Sequence, residues 1–314
     1  MKKIFYIISF GILLAACGQS YEETKRINRQ QRRAAAQKDS AALKIAVMPT
    51  LDCLPLFVAR HYELYDTILG GVRLKCFNAQ MDCDTAFERG RVEGVMTDLV
   101  RAARMERKGL DLRFVATTNA YWQLISNRNA RIRQLKQLDD KMVAMTRYSV
   151  TDMLADKAID SAKLDKDHVF KVQINDVYVR MQMLQNNIMD VLCLTEPHAT
   201  VARVMKNHVL LDTRALGWRM GAMVFREKEM RRKERAKQLA QFIKAYDQAC
   251  DSINKYGVKH YRSVIEKNYG LKKEMIDSLP GDLKFPHAQT PRKADMDIAS
   301  AWWEKQKQGN NGNN

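Results

Sequence analysis

Short β-rich runs alternate with stretches of helical periodicity from Leu43 onward. The runs predict strands over 44–48, 72–77, 94–97, 113–117, 122–126, 142–145, 170–174, 190–194, 209–212 and 221–225. The helical periodicity predicts helices over 54–62, 82–88, 99–107, 151–159, 177–185, 198–205, 228–256, 258–269 and 294–305. This order is typical of an α/β fold with mainly parallel sheets.

The pattern indicates two lobes. A basic, loop-like stretch follows the strand that ends at Ser126, and the strand–helix alternation restarts at Met142. The chain is long enough for two buried cores of ordinary domain size. The Gly/Asn-rich segment 306–314 has the composition of a disordered tail.

The N-terminus has the three elements of a lipoprotein signal peptide. Lys2 and Lys3 are followed by an apolar stretch over 4–14 and by small residues that lead to Cys17. The apolar stretch is too short for a membrane span. We therefore expect cleavage after residue 16, a lipid on Cys17, and a mature protein on the extracytoplasmic face of a bacterial membrane. An uncleaved signal anchor is the alternative.

The formal charge of +17 becomes +15 when Lys2 and Lys3 are removed. A positive charge of this size favours binding to anionic surfaces or anionic ligands. Part of it lies in residues 17–42, which we interpret as a basic tether. Basic residues interleaved with aromatic ones, as in nucleic-acid-binding proteins, are absent from the sequence, so we expect no nucleic-acid partner.

Cys53, Cys76, Cys83, Cys193 and Cys250 remain after Cys17. The sequence has no close C-x-x-C pair and its histidines are scattered, so we expect neither a structural metal nor a cofactor. Cys193 and Cys250 lie on apolar patterns and are expected in the core. Cys53 and Cys83 follow strands that are expected to be neighbours, which leaves open a disulfide or a soft metal site at the cleft mouth; whether Cys76 takes part is also open.

Ligands of parallel α/β sheets bind beyond the carboxyl ends of the strands, where loops and helix N-termini converge. Polar, sulfur-containing and aromatic side chains follow the predicted strands at these ends. The candidate ligand-binding residues are Asp52, Cys53, Gln80, Asp82, Thr97, Asp98, Thr118, Asn119, Trp122, Tyr148, Ser149, Thr151 and Glu196.

Several candidates have a second interpretation. Ser149 with Asp152 resembles a capping box, and Asp52 and Asp98 each precede a helix, where aspartate is a common cap. Trp122 stacks on a ligand ring or fills the cleft wall. Glu196 is a ligand acceptor, a latch between the lobes or a solvated acid.

Several segments carry a resemblance to a known family, namely 44–49, 54–59, 90–98, 135–143, 147–152 and 195–199, and the long helix from Lys228. They resemble the substrate-binding proteins of ABC importers for nitrate, sulfonates or taurine, and thiamine precursors. The resemblance spans nearly all of residues 43–305. It implies a two-lobed type II periplasmic-binding fold, with lobe 1 over 43–120 and 220–305 and lobe 2 over 121–219. Hinge segments lie near 121–127 and 219–225.

The implied function is capture rather than catalysis. The lobes close over one small molecule and hand it to an ABC permease. Ser149, Thr151 and Trp122 favour an anionic or heteroaromatic ligand. A sensor subunit is an alternative, as is an extracytoplasmic enzyme with Cys53 or Cys83 as nucleophile, for which His61 is the base closest in sequence.

Overall fold

The computed structural model describes residues 21–311, without the side chains of 22, 35, 36, 38 and 307–311. The predicted signal peptide and Cys17 lie outside these residues. Helix α1 (Tyr21–Ala41) occupies most of the predicted tether and belongs to a unit separate from the body that starts at Leu43. Over the described range, no helix combines the length and the apolar character that a membrane span needs.

The strands follow the predicted ones, each within one residue at either end. They are β1 (Leu43–Val47), β2 (Val72–Cys76), β3 (Gly94–Asp98), β4 (Leu112–Thr117), β5 (Trp122–Ser126), β6 (Lys141–Met145), β7 (Val169–Gln173), β8 (Val191–Thr195), β9 (His208–Asp212) and β10 (Gly221–Arg226).

The helices after α1 are α2 (Leu54–His61), α3 (Gln80–Glu88), α4 (Leu99–Arg107), α5 (Val150–Ala162), α6 (Val177–Gln185), α7 (His198–Val204), α8 (Glu227–Met230), α9 (Lys233–Tyr256), α10 (Arg262–Tyr269), α11 (Lys273–Asp277) and α12 (Lys293–Asn311).

Two five-stranded sheets form the body. The first has the order β2-β1-β3-β10-β4 and the second β7-β6-β8-β5-β9. In the first sheet β10 runs antiparallel to both of its neighbours, and in the second β5 does so. The remaining strands of each sheet run parallel to one another, as the sequence predicted. We call the first sheet with its helices lobe 1 and the second lobe 2.

Both antiparallel strands follow a crossing between the lobes. The chain leaves lobe 1 between β4 and β5 and returns between β9 and β10. At the return, Gly221 lies so close to the outgoing segment that a Cβ there would come within 2.8 Å of the Ala120 Cβ. Glycine is required because the two crossing segments touch through their backbones.

The lobe 1 sheet is covered on both faces. Leu43, Ile45 and Val47 face one core cluster with α2 and α9, whereas Ala46 faces the other with α3 and α4. The second cluster also contains Val150, Met153 and Val177 of lobe 2. Apolar contact therefore continues from lobe 1 into lobe 2, which describes a closed arrangement of the lobes.

Helices α1 and α11 were not predicted, and three of the predicted segments differ in form or extent. The helix predicted over 228–256 is interrupted at Arg231 and Arg232, where Arg232 has extended backbone angles. The first turn of the helix predicted over 258–269 is a 3-10 turn. Helix α12 continues as far as Asn311, into the segment predicted to be a disordered tail; residues 312–314 lie outside the described residues.

Candidate functional site

The carboxyl ends of the two sheets face each other across a cleft that encloses a cavity of about 70 Å³. Both lobes contribute to its wall. Seven of the predicted ligand-binding residues line it, namely Asp52, Gln80, Thr97, Asp98, Trp122, Ser149 and Thr151. These residues lie at or after the ends of five different strands and meet at one cavity, as their positions relative to the predicted strands indicated.

Arg101 is the cation that lobe 1 contributes to the cavity wall. It lies in the first turn of α4 and is fully buried. Its Nη1 donates a hydrogen bond to Asp84 on α3, and its Nε lies 3.6 Å from Asp98 Oδ2. Asp84 is also bonded to Arg104 Nη2 at 2.9 Å. The charge of Arg101 is therefore balanced by carboxylates of its own lobe.

Arg180 on α6 is the cation of lobe 2, and it is 5% exposed. Its guanidinium donates to the carbonyl oxygens of Ile174 at 2.6 Å and Cys193 at 2.8 Å, and to the Thr146 hydroxyl. All three acceptors are neutral. Burial lowers the pKa of Arg180 to about 10, and the nearby Arg101 contributes to the lowering. The lobe 2 wall therefore carries a buried positive charge without a carboxylate in contact.

Four of the seven buried side-chain atoms without a hydrogen-bond partner in the described part of the chain belong to this cavity wall. Within the part of the chain that the structure describes, Thr97 Oγ1, Arg101 Nε and Nη2, and His198 Nδ1 are buried without a hydrogen-bond partner, and all belong to residues of the cavity wall. Burial lowers the pKa of His198 to about 4, so its imidazole is neutral at physiological pH. Buried polar atoms are rarely left unpaired, so the cavity is suited to a ligand that accepts hydrogen bonds.

Asp98 links the two lobes. Its Oδ1 accepts from the backbone N–H of Arg101 at 3.0 Å, which is the cap interaction considered from the sequence, and also from the backbone N–H of Val150 at 3.2 Å. Burial raises the pKa of Asp98 to about 6, against the lowering effect of Arg101. One carboxylate therefore caps α4 and contacts the first residue of α5 across the cleft.

Ser149 is a cap as well as a wall residue. Its Oγ accepts from the backbone N–H of Thr151 at 3.1 Å and donates to the Thr146 carbonyl at 2.7 Å. Asp152 accepts from the Tyr148 N–H at 2.8 Å. Ser149 is therefore the N-cap of α5, as considered from the sequence, but the reciprocal bond of a capping box is not formed, because Asp152 accepts from Tyr148 and not from Ser149. Because the hydroxyl already has partners, the ligand-binding interpretation of Ser149 rests on its position in the wall.

Asp52 and the hinge residues form a second group. Thr118 Oγ1 donates to Asp52 Oδ2 at 3.2 Å, and burial raises the pKa of Asp52. Thr118 and Asn119 lie outside the main cavity and line a groove at the hinge. Asp52 therefore joins the cavity wall to the outgoing hinge segment.

Three other candidates lie away from the cavity wall. Asp82 is exposed on α3. The Tyr148 ring stacks on Trp303 of α12 with 5.1 Å between ring centroids. Cys53 lies in the lobe 1 core, because the 3-10 turn over Leu51–Cys53 directs its side chain inward.

Glu196 has the geometry of the latch considered from the sequence. Its backbone oxygen accepts from the Leu51 N–H of lobe 1 at 2.9 Å. Its carboxylate is buried and accepts from the Tyr121 hydroxyl at 2.5 Å and from Arg203 at 2.6 Å. Because Tyr121 belongs to the hinge segment, Glu196 connects lobe 2 to the hinge as well as to lobe 1.

The disulfide considered between Cys53 and Cys83 does not form. All five cysteines of the described chain are free thiols, and Cys53 and Cys83 belong to core clusters on opposite faces of the lobe 1 sheet. Burial raises the pKa of both thiols well above its ordinary value. Among residues 21–311, no group of three or more His, Cys, Asp and Glu side chains is arranged to hold a metal ion.

Arg101, Arg180 and His198 were missed from the sequence. Arg101 and His198 lie in the first turns of the helices that follow β3 and β8, and Arg180 lies one turn into α6. A signal was present in α6, where Val177, Arg180, Met181 and Leu184 form one buried stripe at helical spacing. An arginine inside such a stripe must be buried with hydrogen-bond partners. That spacing by itself indicates a buried cation in α6.

The fold is the periplasmic-binding-protein fold, with two lobes as in its type II form. Solved structures that resemble this chain are substrate-binding proteins of ABC importers, which confirms the resemblance seen in the sequence. No family model and no curated protein matches the chain.

Three solved structures illustrate the similarity. The alkanesulfonate-binding protein SsuA of Xanthomonas axonopodis pv. citri, bound to MOPS, has a TM-score of 0.70 and 14% identity, over 85% of this chain and 92% of its own. The aliphatic sulphonate-binding SsuA of Escherichia coli has a TM-score of 0.64 and 15% identity, over 84% and 92%. The nitrate-binding NrtA of Synechocystis PCC 6803 has a TM-score of 0.64 and 13% identity, over 80% and 74%. At such identities the similarity establishes the fold and leaves the ligand open.

Proposed function

We propose that this protein is a lipid-anchored, extracytoplasmic substrate-binding protein that captures a small solute with one acidic group and delivers it to an ABC importer. The observation that carries the proposal is the position of Arg101 and Arg180 in the wall of one cavity, on opposite lobes. The sequence favoured an anionic or heteroaromatic ligand; the two buried arginines favour the anionic one.

Charge balance supports a monovalent acidic group. Arg101 already contacts Asp84, whereas Arg180 donates only to neutral oxygens. A buried charge without a counterion costs free energy. An anion that contacts Arg180 therefore gains a charge-assisted hydrogen bond and removes that cost. One negative charge on the ligand is enough to neutralise Arg180. A second negative charge would have no further unneutralised arginine in the cavity wall to contact.

The position of Arg101 and Arg180 on opposite lobes explains why ligand binding would favour closure of the lobes. A ligand that contacts Arg101 of lobe 1 and Arg180 of lobe 2 at once has more contacts in the closed form than in the open form. Ligands shift a conformational equilibrium by their differential affinity for its states. The unpartnered Thr97 hydroxyl and Arg101 N–H groups add donors on the lobe 1 side.

The lipid anchor and the importer partner are inferred from other observations. Anchoring is inferred from the signal pattern that ends at Cys17. Delivery to a permease is inferred from the fold and from the similarity to importer proteins for sulfonates and nitrate.

Calorimetric titration tests the proposal. We expect saturable binding of at least one of methanesulfonate, nitrate and acetate, and weaker binding of the dianion sulfate. Arg180→Met should reduce the affinity by roughly 10- to 100-fold, because a hydrogen bond to a charged group contributes about 1.5–3 kcal/mol. Methionine keeps the apolar stem while removing the charge.

Arg133→Met is the matched control, since Arg133 is exposed on the surface of lobe 2. It should bind like the unmodified protein, and thermal unfolding should show that both variants are folded. Equal affinity of Arg180→Met and Arg133→Met for every anion that binds would contradict the proposed site.

The enzyme alternative is disfavoured by the buried, protonated thiols of Cys53 and Cys83 and by their absence from the cavity wall. The similar structures are likewise of binding proteins and not of enzymes. Recovery of unchanged ligand after prolonged incubation would support capture. A sensor role would be supported instead if ligand uptake by cells were unaffected by deletion of the gene.

A further inference from the structure

Five exposed cations lie along one side of helix α1. They are Lys25, Arg26, Arg29, Arg32 and Arg33, and each is exposed. At about 100° of rotation per residue, their side chains fall within an arc of roughly 120°. We call this set the basic stripe.

Acidic residues are absent from the stretch of sequence that carries the basic stripe. Glu22 and Glu23 precede it and Asp39 follows it, and the sequence over 24–37 contains no Asp or Glu. Like charges at i,i+4, such as Lys25 with Arg29, weaken an isolated helix. A run of five cations on one side is therefore unfavourable for the helix itself, and a polyanion would relieve the repulsion.

The remainder of the helix lacks an apolar face. Thr24, Gln31 and Ala34 lie opposite the basic stripe, and Ile27 is the one large apolar residue in the sequence over 24–37. Helices that insert between lipid chains need a broad apolar face. α1 is suited instead to contact with headgroups through charge, which is worth about 1 kcal/mol per basic residue near an anionic membrane.

The predicted anchor brings this helix to a membrane. Three residues separate Cys17 from Tyr21, the first residue of α1. Four extended residues span at most about 14 Å, so a lipid on Cys17 would hold the first turn of α1 close to the headgroups. This inference rests on the lipid anchor of the proposed function. The anchor favours a membrane, over a nucleic acid or an acidic protein, as the binding partner of the basic stripe.

We propose that the basic stripe of α1 binds the anionic phospholipid headgroups of the membrane in which the chain is anchored. The stripe adds an electrostatic contact to the lipid anchor. The segment between the anchor and the two-lobed body is then a membrane-surface helix and not a free tether.

Vesicle co-sedimentation of the full mature chain with Cys17→Ser, which cannot be lipidated, isolates this contact. The protein should bind vesicles of phosphatidylcholine mixed with phosphatidylglycerol, and should bind pure phosphatidylcholine far less. Added salt should weaken the binding. Changing Lys25, Arg29 and Arg32 together to Gln should weaken it by roughly 100-fold.

The matched control changes Lys228, Arg231 and Arg232 to Gln, which removes the same charge from an exposed part of the body. It should bind anionic vesicles like the parent chain. An equal loss in both variants, equal binding to both kinds of vesicle, or no binding to either would overturn the proposal. Anion titration of the same variants reports on the cleft separately, so a failure of the basic stripe is distinguishable from a failure of the proposed function.

Discussion

Asp98 at the end of β3 accepts a hydrogen bond from the backbone N–H of Val150, the first residue of α5, at 3.2 Å. The two residues belong to different lobes, and both lie beside the cavity between them. A carboxylate that also caps its own helix α4 thereby contacts the N-terminus of a helix across the cleft. The favourable interaction of a carboxylate with a helix N-terminus contributes to closure.

The titration of Asp98 should make stability depend on pH. Burial raises its folded-state pKa from 3.8 to about 6, so the folded chain keeps the proton to higher pH than the unfolded chain. The free energy of unfolding therefore falls as pH rises through this window and is constant above it. Relative to the unmodified protein, Asp98→Asn should gain about 2–3 kcal/mol between acidic and neutral pH. Urea unfolding at both ends of the window checks this, and a pH-independent difference would contradict it.

Removal of Arg101 should expose its structural role. Arg101→Met leaves the buried Asp84 with Arg104 alone and should destabilise the fold by about 3–5 kcal/mol. Adding Asp84→Asn should restore part of that loss, because the buried charge that lost its contact with Arg101 is then removed. Arg107→Met, which breaks the more exposed pair with Glu304, is the control and should cost less than about 1 kcal/mol. Denaturant unfolding of the unmodified protein, these three variants and Asp84→Asn alone measures the coupling between Arg101 and Asp84.

Helix α12 should act as a brace of the closed form. The Trp302 Nε1 of lobe 1 donates to Asp156 Oδ2 on α5 of lobe 2 at 2.9 Å, whereas Trp303 Nε1 donates to the Val100 carbonyl within lobe 1 at 2.7 Å. Trp302→Phe should weaken closure by about 1 kcal/mol and ligand affinity by about five-fold. Trp303→Phe removes a hydrogen bond within lobe 1 and retains an aromatic ring to stack on Tyr148, so it should leave both nearly unchanged. Small-angle scattering with and without ligand distinguishes them, and equal effects would remove the role assigned to Trp302.

Gly221 should tolerate no side chain. A Cβ at this position would meet the Thr118 hydroxyl and the Ala120 Cβ in the outgoing hinge segment. Gly221→Ala should cost about 1–3 kcal/mol through overpacking and disturb the Thr118–Asp52 hydrogen bond. Gly281→Ala, where a Cβ would meet nothing within 4 Å, is the control. Thermal unfolding compares them; a neutral Gly221→Ala would show that the two crossing segments can separate.

Patterning alone predicted the ten strands and seven of the residues that line the cavity. Period-two and helical spacing are local properties, and the carboxyl ends of parallel strands meet at one edge whatever the details of packing. For this reason Thr97, Asp98 and Thr151 could be placed beside the ligand cavity from the order of strands alone. The break at Arg232 could not be foreseen, because the sequence there contains neither proline nor glycine.

The sequence by itself determined the fold class, the two lobes and the edge at which the site lies. The reason is that hydrophobic periodicity and the succession of strands and helices are properties of the sequence. Only the tertiary structure decided which side chains face the cavity: Cys53 follows β1 yet is turned into the core, whereas Arg180, inside an apolar helical stripe, reaches the cavity wall. The physical reason is that a side chain's direction and charge environment depend on contacts between distant segments. Arg101 and Arg180 are 79 positions apart in the sequence, and the packing of one lobe against the other brings them to one cavity.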